Sequence, residues 1–341
     1  RYDGSLKASV ILKDLAPFVP ALSRFEEPLD LNLVFSGHGK HLDCPTLQLA
    51  NHHGLMIAGE AALSNWDAGM DMYIYGKLGN LIMTKEGINV LMTNLTGKVP
   101  PILQRLDYIR FNGEAAGYLH DLTLTGLFYT GAGMVKTDVM MSIDEQSMSR
   151  TYSGSVASAD LDLGKLLNQE KKFGKVDFNV ELKGFNYKNR YPESYIKGII
   201  SSFEYSQYQY ENIMLDGVYK DGGFNGRLSM DDANGSVQID GNFNVAKTIP
   251  DFNLKASVKN LRPHDLHLSD KYENASISLG LTADFTGKSI DDMNGRISLD
   301  SLQLNAPDER GCFLDNLTIT AGQVSGEKEL RINSRSEERR V

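Results

Sequence analysis

The sequence predicts an all-β fold, an elongated, curved antiparallel sheet (a U-shaped β-trough) of repeated meanders with a few short helices. Three observations predict it. Apolar residues recur at every second position along most of the chain, which throws them onto one face of a strand and their polar neighbours onto the other. Clusters of Gly, Asn and Asp separate these runs at hairpin distances. Helical stretches are too few and too short to serve as crossovers between parallel strands.

The elements follow in order. Leu6 to Val10 opens the chain as a strand, and Asp14 to Leu22, with Leu15, Phe18, Val19 and Leu22, is expected to be a short helix before the alternating strand Leu29 to Phe35. A second such passage is expected near Leu91, where Leu95 precedes Pro100, Pro101 and the cluster Ile102, Leu103 and Leu106, and leads to a strand from Ile109 to Gly113. A third runs from Tyr152 through an expected helix at Asp162 to Gln169 and into Val176 to Leu182. A fourth starts at Leu254 to Val258, which repeats Leu6 to Val10 residue for residue, and passes through an expected helix at Arg262 to Asp270 into Ile277 to Phe285. Residues 1–334 are therefore expected to form a single elongated repeat array, with units starting near 2, 91, 152 and 254, in which each unit contacts mainly its neighbours. The turns Asp221-Gly222-Gly223, Asp231 to Gly235 and Ile249-Pro250-Asp251 give roughly 17 to 20 strands of meander. At about 4.8 Å per strand the ribbon would be about 80 to 95 Å long.

Composition excludes several functions. The chain has 341 residues, a net charge of −9 and 23% charged residues, so it lacks the clustered Lys and Arg of a nucleic-acid surface. No apolar run approaches 18 residues, and the absence of an initiator Met is expected of an internal fragment. Residues 335–341, Arg-Ser-Glu-Glu-Arg-Arg-Val, resemble a translated sequencing adapter and are expected to be a non-native tail. Cys44 and Cys312 are too few for a disulfide scaffold or a thiolate zinc site.

Candidate chemistry is sparse. His38, His41 and Cys44, followed by His52 and His53, match no usual metal spacing, and His264 and His267 are expected to be surface histidines. The acid pairs Asp231-Asp232 and Asp291-Asp292 adjoin Asn-Gly and are expected in turns rather than in a glycosidase pair. Tyr205, Tyr208 and Tyr210 are expected to pack at a strand edge. No nucleophile elbow, phosphate loop or zinc-protease motif occurs, so the expectation is a protein that is not an enzyme, with no catalytic residue, metal or cofactor.

The remaining functional signal is the apolar face. A groove is expected to be lined by Val176, Phe178, Val180, Leu182, Phe224, Leu228, Val237, Ile239, Phe243, Leu254, Val258, Ile277, Leu279, Leu281 and Phe285. Burying each large side chain is worth roughly 1.5 to 3 kcal/mol, so so many faces cannot all stand in water. Either the sheet fills its own core as a sandwich, or it curls round an apolar space.

Several phrases resemble one family. Gly154-Ser155-Val156 through Leu161-Asp162-Leu163-Gly164-Lys165-Leu166-Leu167, and then Phe173 to Phe178, are similar to repeat units of the TamB (translocation and assembly module) and AsmA-like envelope proteins of Bacteroides-type bacteria. So are Lys197 to Phe203 with Tyr210 to Ile213, and Ala283 to Gly287 with Ile290 to Gly295. The likeness is strongest from about Tyr152 to Leu304. The resemblance implies a periplasmic protein anchored in the inner membrane by an N-terminal segment missing here. It implies a hydrophobic groove carrying phospholipid acyl chains between the inner and outer membranes in support of outer-membrane biogenesis. It also implies an outer-membrane assembly partner of the Omp85 type, bound through a C-terminal region absent here. The alternatives are an outer-membrane protein assembly factor or transmembrane β-barrel, and a secreted glycan-binding β-protein.

Overall fold

The computed structural model describes all residues except 16–22, 145, 148, 187–192, 246, 272, 290, 307–310, 325–326 and 336–341. Among the described residues the alternating runs become nineteen antiparallel strands that pair in chain order. The chain divides into two compact units, Arg1–Asp177 and Phe178–Val341, the division falling inside one strand.

The first unit holds β1 (Tyr2–Ile11), β2 (Pro28–His38), β3 (His41–Ala50), β4 (Leu55–Ser64), β5 (Tyr73–Thr84), β6 (Tyr108–Tyr118), β7 (Asp121–Thr130), β8 (Gly133–Ile143), β9 (Arg150–Asp162) and the start of β10 (Phe173–Asn186). Register aligns the apolar positions into continuous rows across the strands. One runs Ala8, Leu31, Leu49, Ile57, Leu81, Phe111, Phe128 and Val135, each residue opposite the next. A slip of one residue at any pairing would turn that strand's apolar set to water, so the pattern pins the register.

Antiparallel strands joined in order turn alternately at the two ends of the sheet. The helical insertions that follow β1, β5 and β9 lie at one end, whereas the short 3-10 turn Gly69–Asp71 after β4 lies at the other. After β5 come α1 (Lys85–Thr96) and α2 (Pro101–Gln104). Thr84 caps α1 by accepting the Gly87 N–H on its hydroxyl, and Gly97 ends it in the left-handed conformation (φ 78°). Pro101 stands in the first turn of α2, where its missing N–H costs nothing. Ile88 of α1 is 1% exposed, and Leu29, Leu55, Leu106, Ile109 and Phe111 are buried at the same end. α3 (Leu163–Leu167) follows β9, capped by Asp162 accepting from the Lys165 N–H. Leu91 lies inside α1, and the strand leading into that insertion is β5. Of the expected helix at Asp14 to Leu22 only a short 3-10 turn, Leu12–Leu15, falls on described residues; 16–22 lie outside them.

The second unit holds the rest of β10 and β11 (Glu193–Tyr205), β12 (Tyr208–Lys220), β13 (Gly223–Asp232), β14 (Gly235–Asn244), β15 (Asp251–Leu261), β16 (Ser276–Thr286), β17 (Asn294–Asn305), β18 (Cys312–Val324) and β19 (Glu327–Arg335). Leu215, Leu228, Ile239, Ala256, Leu281, Leu299 and Leu317 face one another in a row. The expected helix at Arg262 to Asp270 is instead a series of turns. One helical bond forms, Leu266 N–H to Arg262 O, and then His267 adopts a left-handed φ of 55° that ends the turn. The segment is fixed by side chains: Leu266 is 0% exposed, and its carbonyl accepts the hydroxyl of buried Tyr210 at 2.8 Å.

Candidate functional site

The second unit has two chemically distinct faces. On one, Lys197, Asp216, Arg227, Asp240 and Lys255 stand opposite one another on five successive strands, with signs alternating. Lys197 reaches Asp216 at 3.3 Å and Arg227 reaches Asp240 at 2.9 Å. The Tyr195 hydroxyl and the Lys197 ammonium lower the Asp216 pKa, and Asp216 in turn raises that of Lys197. Pairs this exposed are screened by water and add little stability, so the ladder mainly specifies register and keeps this face wet.

The other face carries the residues expected to line a groove. Fourteen of them, from Phe178 to Phe285, lie on strands of this unit and share that face. Val176 lies in the part of β10 that belongs to the first unit and is buried. The fourteen are all half-buried. This intermediate state is unlike the interior of a sandwich, where facing side chains close over one another. An open apolar row results.

Glycine and aromatic residues shape the row. Gly217, Gly226 and Gly241 stand opposite one another on β12, β13 and β14. A Cβ on Gly217 would meet Phe224 Cζ at 2.6 Å, so the Phe224 ring lies across the bare backbone. The next row is aromatic: Tyr219, Phe224, Phe243, Phe252 and Phe285, with Phe252 and Phe285 stacked at 4.7 Å between centroids. Beside it opens a recess of about 580 Å³ between Phe252, Phe285, Met293, Ile297 and Ile319, with Val245 and Lys288 at its margin. That volume lies within the usual range for small-molecule sites. Val245, which continues the β14 alternation in sequence, lies beyond the strand and is 64% exposed.

The structure adds residues that the expected set lacks. Ile196, Ile200, Ile213, Leu215, Leu299 and Leu317 continue the same face of this unit. Their signal was the same two-residue alternation, present in each strand. The polar face has an exception: Ile199 and Met214, directly opposite each other, are 50% and 53% exposed beside Lys197 and Asp216.

The reactive-looking residues are dispersed. The His38 and His41 rings lie 5.4 Å apart across the β2–β3 turn, but His41 is engaged by Ser64 at 2.7 Å and Asp43 at 2.9 Å. Cys44 is buried, which raises its thiol pKa, and Cys312 is exposed. Among the described residues no three His, Cys, Asp or Glu side chains form a metal-sized group. His264 lies near Asp265, whereas His267 hydrogen-bonds the Ser206 carbonyl at 2.9 Å. Asp232 ends β13 and accepts the Tyr208 hydroxyl at 2.5 Å. Burial and that carboxylate push the Tyr208 phenol up to about 12. Asp292 accepts the N–H groups of Lys288 and Ser289, which hold its carboxyl down at about 2. Both acids close turns. Tyr208 and Tyr210 pack edge-on at 4.8 Å beneath the Arg262–Asp270 turns. No family model, curated protein or solved structure matches this chain.

Proposed function

We propose that this chain is a periplasmic lipid-conduit segment, of the kind its phrases resemble in the TamB and AsmA-like family, whose apolar face carries phospholipid acyl chains. The observation that supports the reading most is the half-burial of the fourteen apolar residues from Phe178 to Phe285 that share one face of the second unit. Rows of Leu, Ile, Val and Phe continue from strand to strand without being covered by facing side chains. An acyl chain laid along such a row gains about 0.8 kcal/mol for each methylene removed from water. The gain is nearly equal at successive strands, so no position holds the chain strongly and sliding costs little. Head groups stay on the solvent side, and the reading assigns no catalytic step. The outer-membrane assembly partner belongs to the same proposal.

The test is site-specific photocrosslinking in bacterial cells. Benzophenone side chains replace Phe178 and Phe243 on the apolar face and Asn179 and Asn242 on the polar face. Phospholipid adducts at the first pair and none at the second are expected. Equal labelling of both pairs, or none at Phe178 and Phe243, overturns the proposal.

A further inference from the structure

His53 occupies the turn between β3 and β4, at the end of the first unit that carries α1. Both of its ring nitrogens face carboxylates. Nδ1 lies 2.7 Å from Glu86 Oε1 in the first turn of α1, and Nε2 lies 3.3 Å from Glu27 Oε2 just before β2. Glu27 Oε2 is shielded from water and accepts no hydrogen bond among the described residues, so its approach to Nε2 is an ion-pair contact. A neutral imidazole donates from only one nitrogen and presents a lone pair from the other. Only the imidazolium carries a proton on both of the nitrogens that face these carboxylates, so the arrangement favours the protonated ring.

The backbone around this turn is built into the same contact. The Thr84 hydroxyl that caps α1 donates to the His53 carbonyl at 2.9 Å, and the Thr84 N–H donates to the Gly54 carbonyl at 3.0 Å. Gly54 has φ 84°, and a Cβ there would stand 2.4 Å from Thr84 Oγ1. Asn51 Oδ1 accepts the His53 and Leu55 N–H groups. The turn thus grips the N-terminus of the helix that buries Ile88 at the end of the apolar rows.

We propose that His53 is a proton-operated latch that fastens α1 over the end of the first unit's apolar face when charged and loosens it when neutral. The groups facing the latch are Glu27 from the β2 side and Glu86 from α1, with Lys85 preceding Glu86 on the helix. The Glu86 hydrogen bond, joined by attraction to Glu27 and Glu86, raises the His53 pKa. The sign follows: the latch is complete below the ordinary histidine value of about 6.5 and is lost as pH rises through the raised value. The inference does not depend on what the apolar face carries, because its readouts are a titration and a helix-opening rate.

The test uses the full chain, with amide exchange on residues 87–92 from pH 5.5 to 8.5 corrected for intrinsic chemistry, alongside NMR titration of His53. Wild-type protection of α1 is expected to fall about two- to five-fold across the range, the span of an exposed ion pair. H53Q and E86Q should show flat profiles at the lower level while the β7–β8 amides are unchanged. Glu86 is exposed, so E86Q keeps the test valid should H53Q fold poorly. His53 titrating at or below about 6.5, or parallel wild-type and E86Q profiles, overturns the proposal.

Discussion

Gly241 shows how a single residue sets the course of a strand. Its φ of 141° is in a region that side chains avoid, and a Cβ would stand 2.3 Å from the Asn253 carbonyl and 2.5 Å from Leu254 Cα. Gly241→Ala is therefore expected to destabilise the fold by about 1–3 kcal/mol. Gly280 is the control: its nearest neighbour to a Cβ is 3.6 Å away, so Gly280→Ala should be neutral or stabilise by about 0.4–1 kcal/mol through a less free unfolded chain. Urea midpoints of the two variants measure the difference. Asp292 gives a residue-scale dependence on acid. Its pKa of about 2 lies below the ordinary carboxylate value of about 3.9, so its contribution is present above about 3.9 and lost as pH falls towards 2. Asp292→Asn should abolish that part of the acid dependence of the urea midpoint while leaving the midpoint's behaviour above pH 5 parallel to wild type.

At the scale of elements, stability is concentrated where turns and helices close the ends of the rows. Leu266 has no exposed surface and lies in a segment without regular structure, so Leu266→Ala is expected to cost about 2–5 kcal/mol and to release the Arg262–Asp270 turns. Tyr208 would report the loosening. Its phenol ionises near 12 while the segment is closed and should move towards the ordinary value of about 10 in the variant. Absorbance at 295 nm, differenced against Tyr208→Phe, follows it. If the phenol stays near 12 in Leu266→Ala, the turns are not what buries it. These elements were also the least legible in sequence. The strands announce themselves because a two-residue period is local and repeats. The Arg262–Asp270 stretch has helix-like apolar spacing, but what fixes it is distant: Tyr210 and Ser206 grip its carbonyl and imidazole groups from the β11–β12 hairpin. α1 was legible only as the neighbourhood of Leu91, because its limits rest on Thr84 and Gly97 rather than on a strong apolar stripe. That the residues from Phe178 to Phe285 share a face was readable from alternation alone, whereas the His53 contact joins residues 27, 53 and 86 and left no motif.

At the scale of the whole chain, register connects each strand chiefly to those before and after it in sequence. Stability in such an array is close to a sum over neighbouring pairs, and a defect need not spread far. Leu317 tests this. It faces Leu299 on β17 and Ser334 on β19, within the apolar row. Replacing it with Asp removes a side chain worth roughly 1.5 to 3 kcal/mol when buried and places a charge among apolar neighbours. Native-state amide exchange is expected to lose protection in β17 to β19 while β2 to β8 remain as in wild type. Uniform loss across the chain would mean that the strands unfold as one cooperative block, and the nearest-neighbour account would fail. The same locality bears on the proposed lipid role. An array whose pairs open independently can widen at one strand to admit an acyl chain while its neighbours stay closed, a step that a single all-or-none core could not take without unfolding.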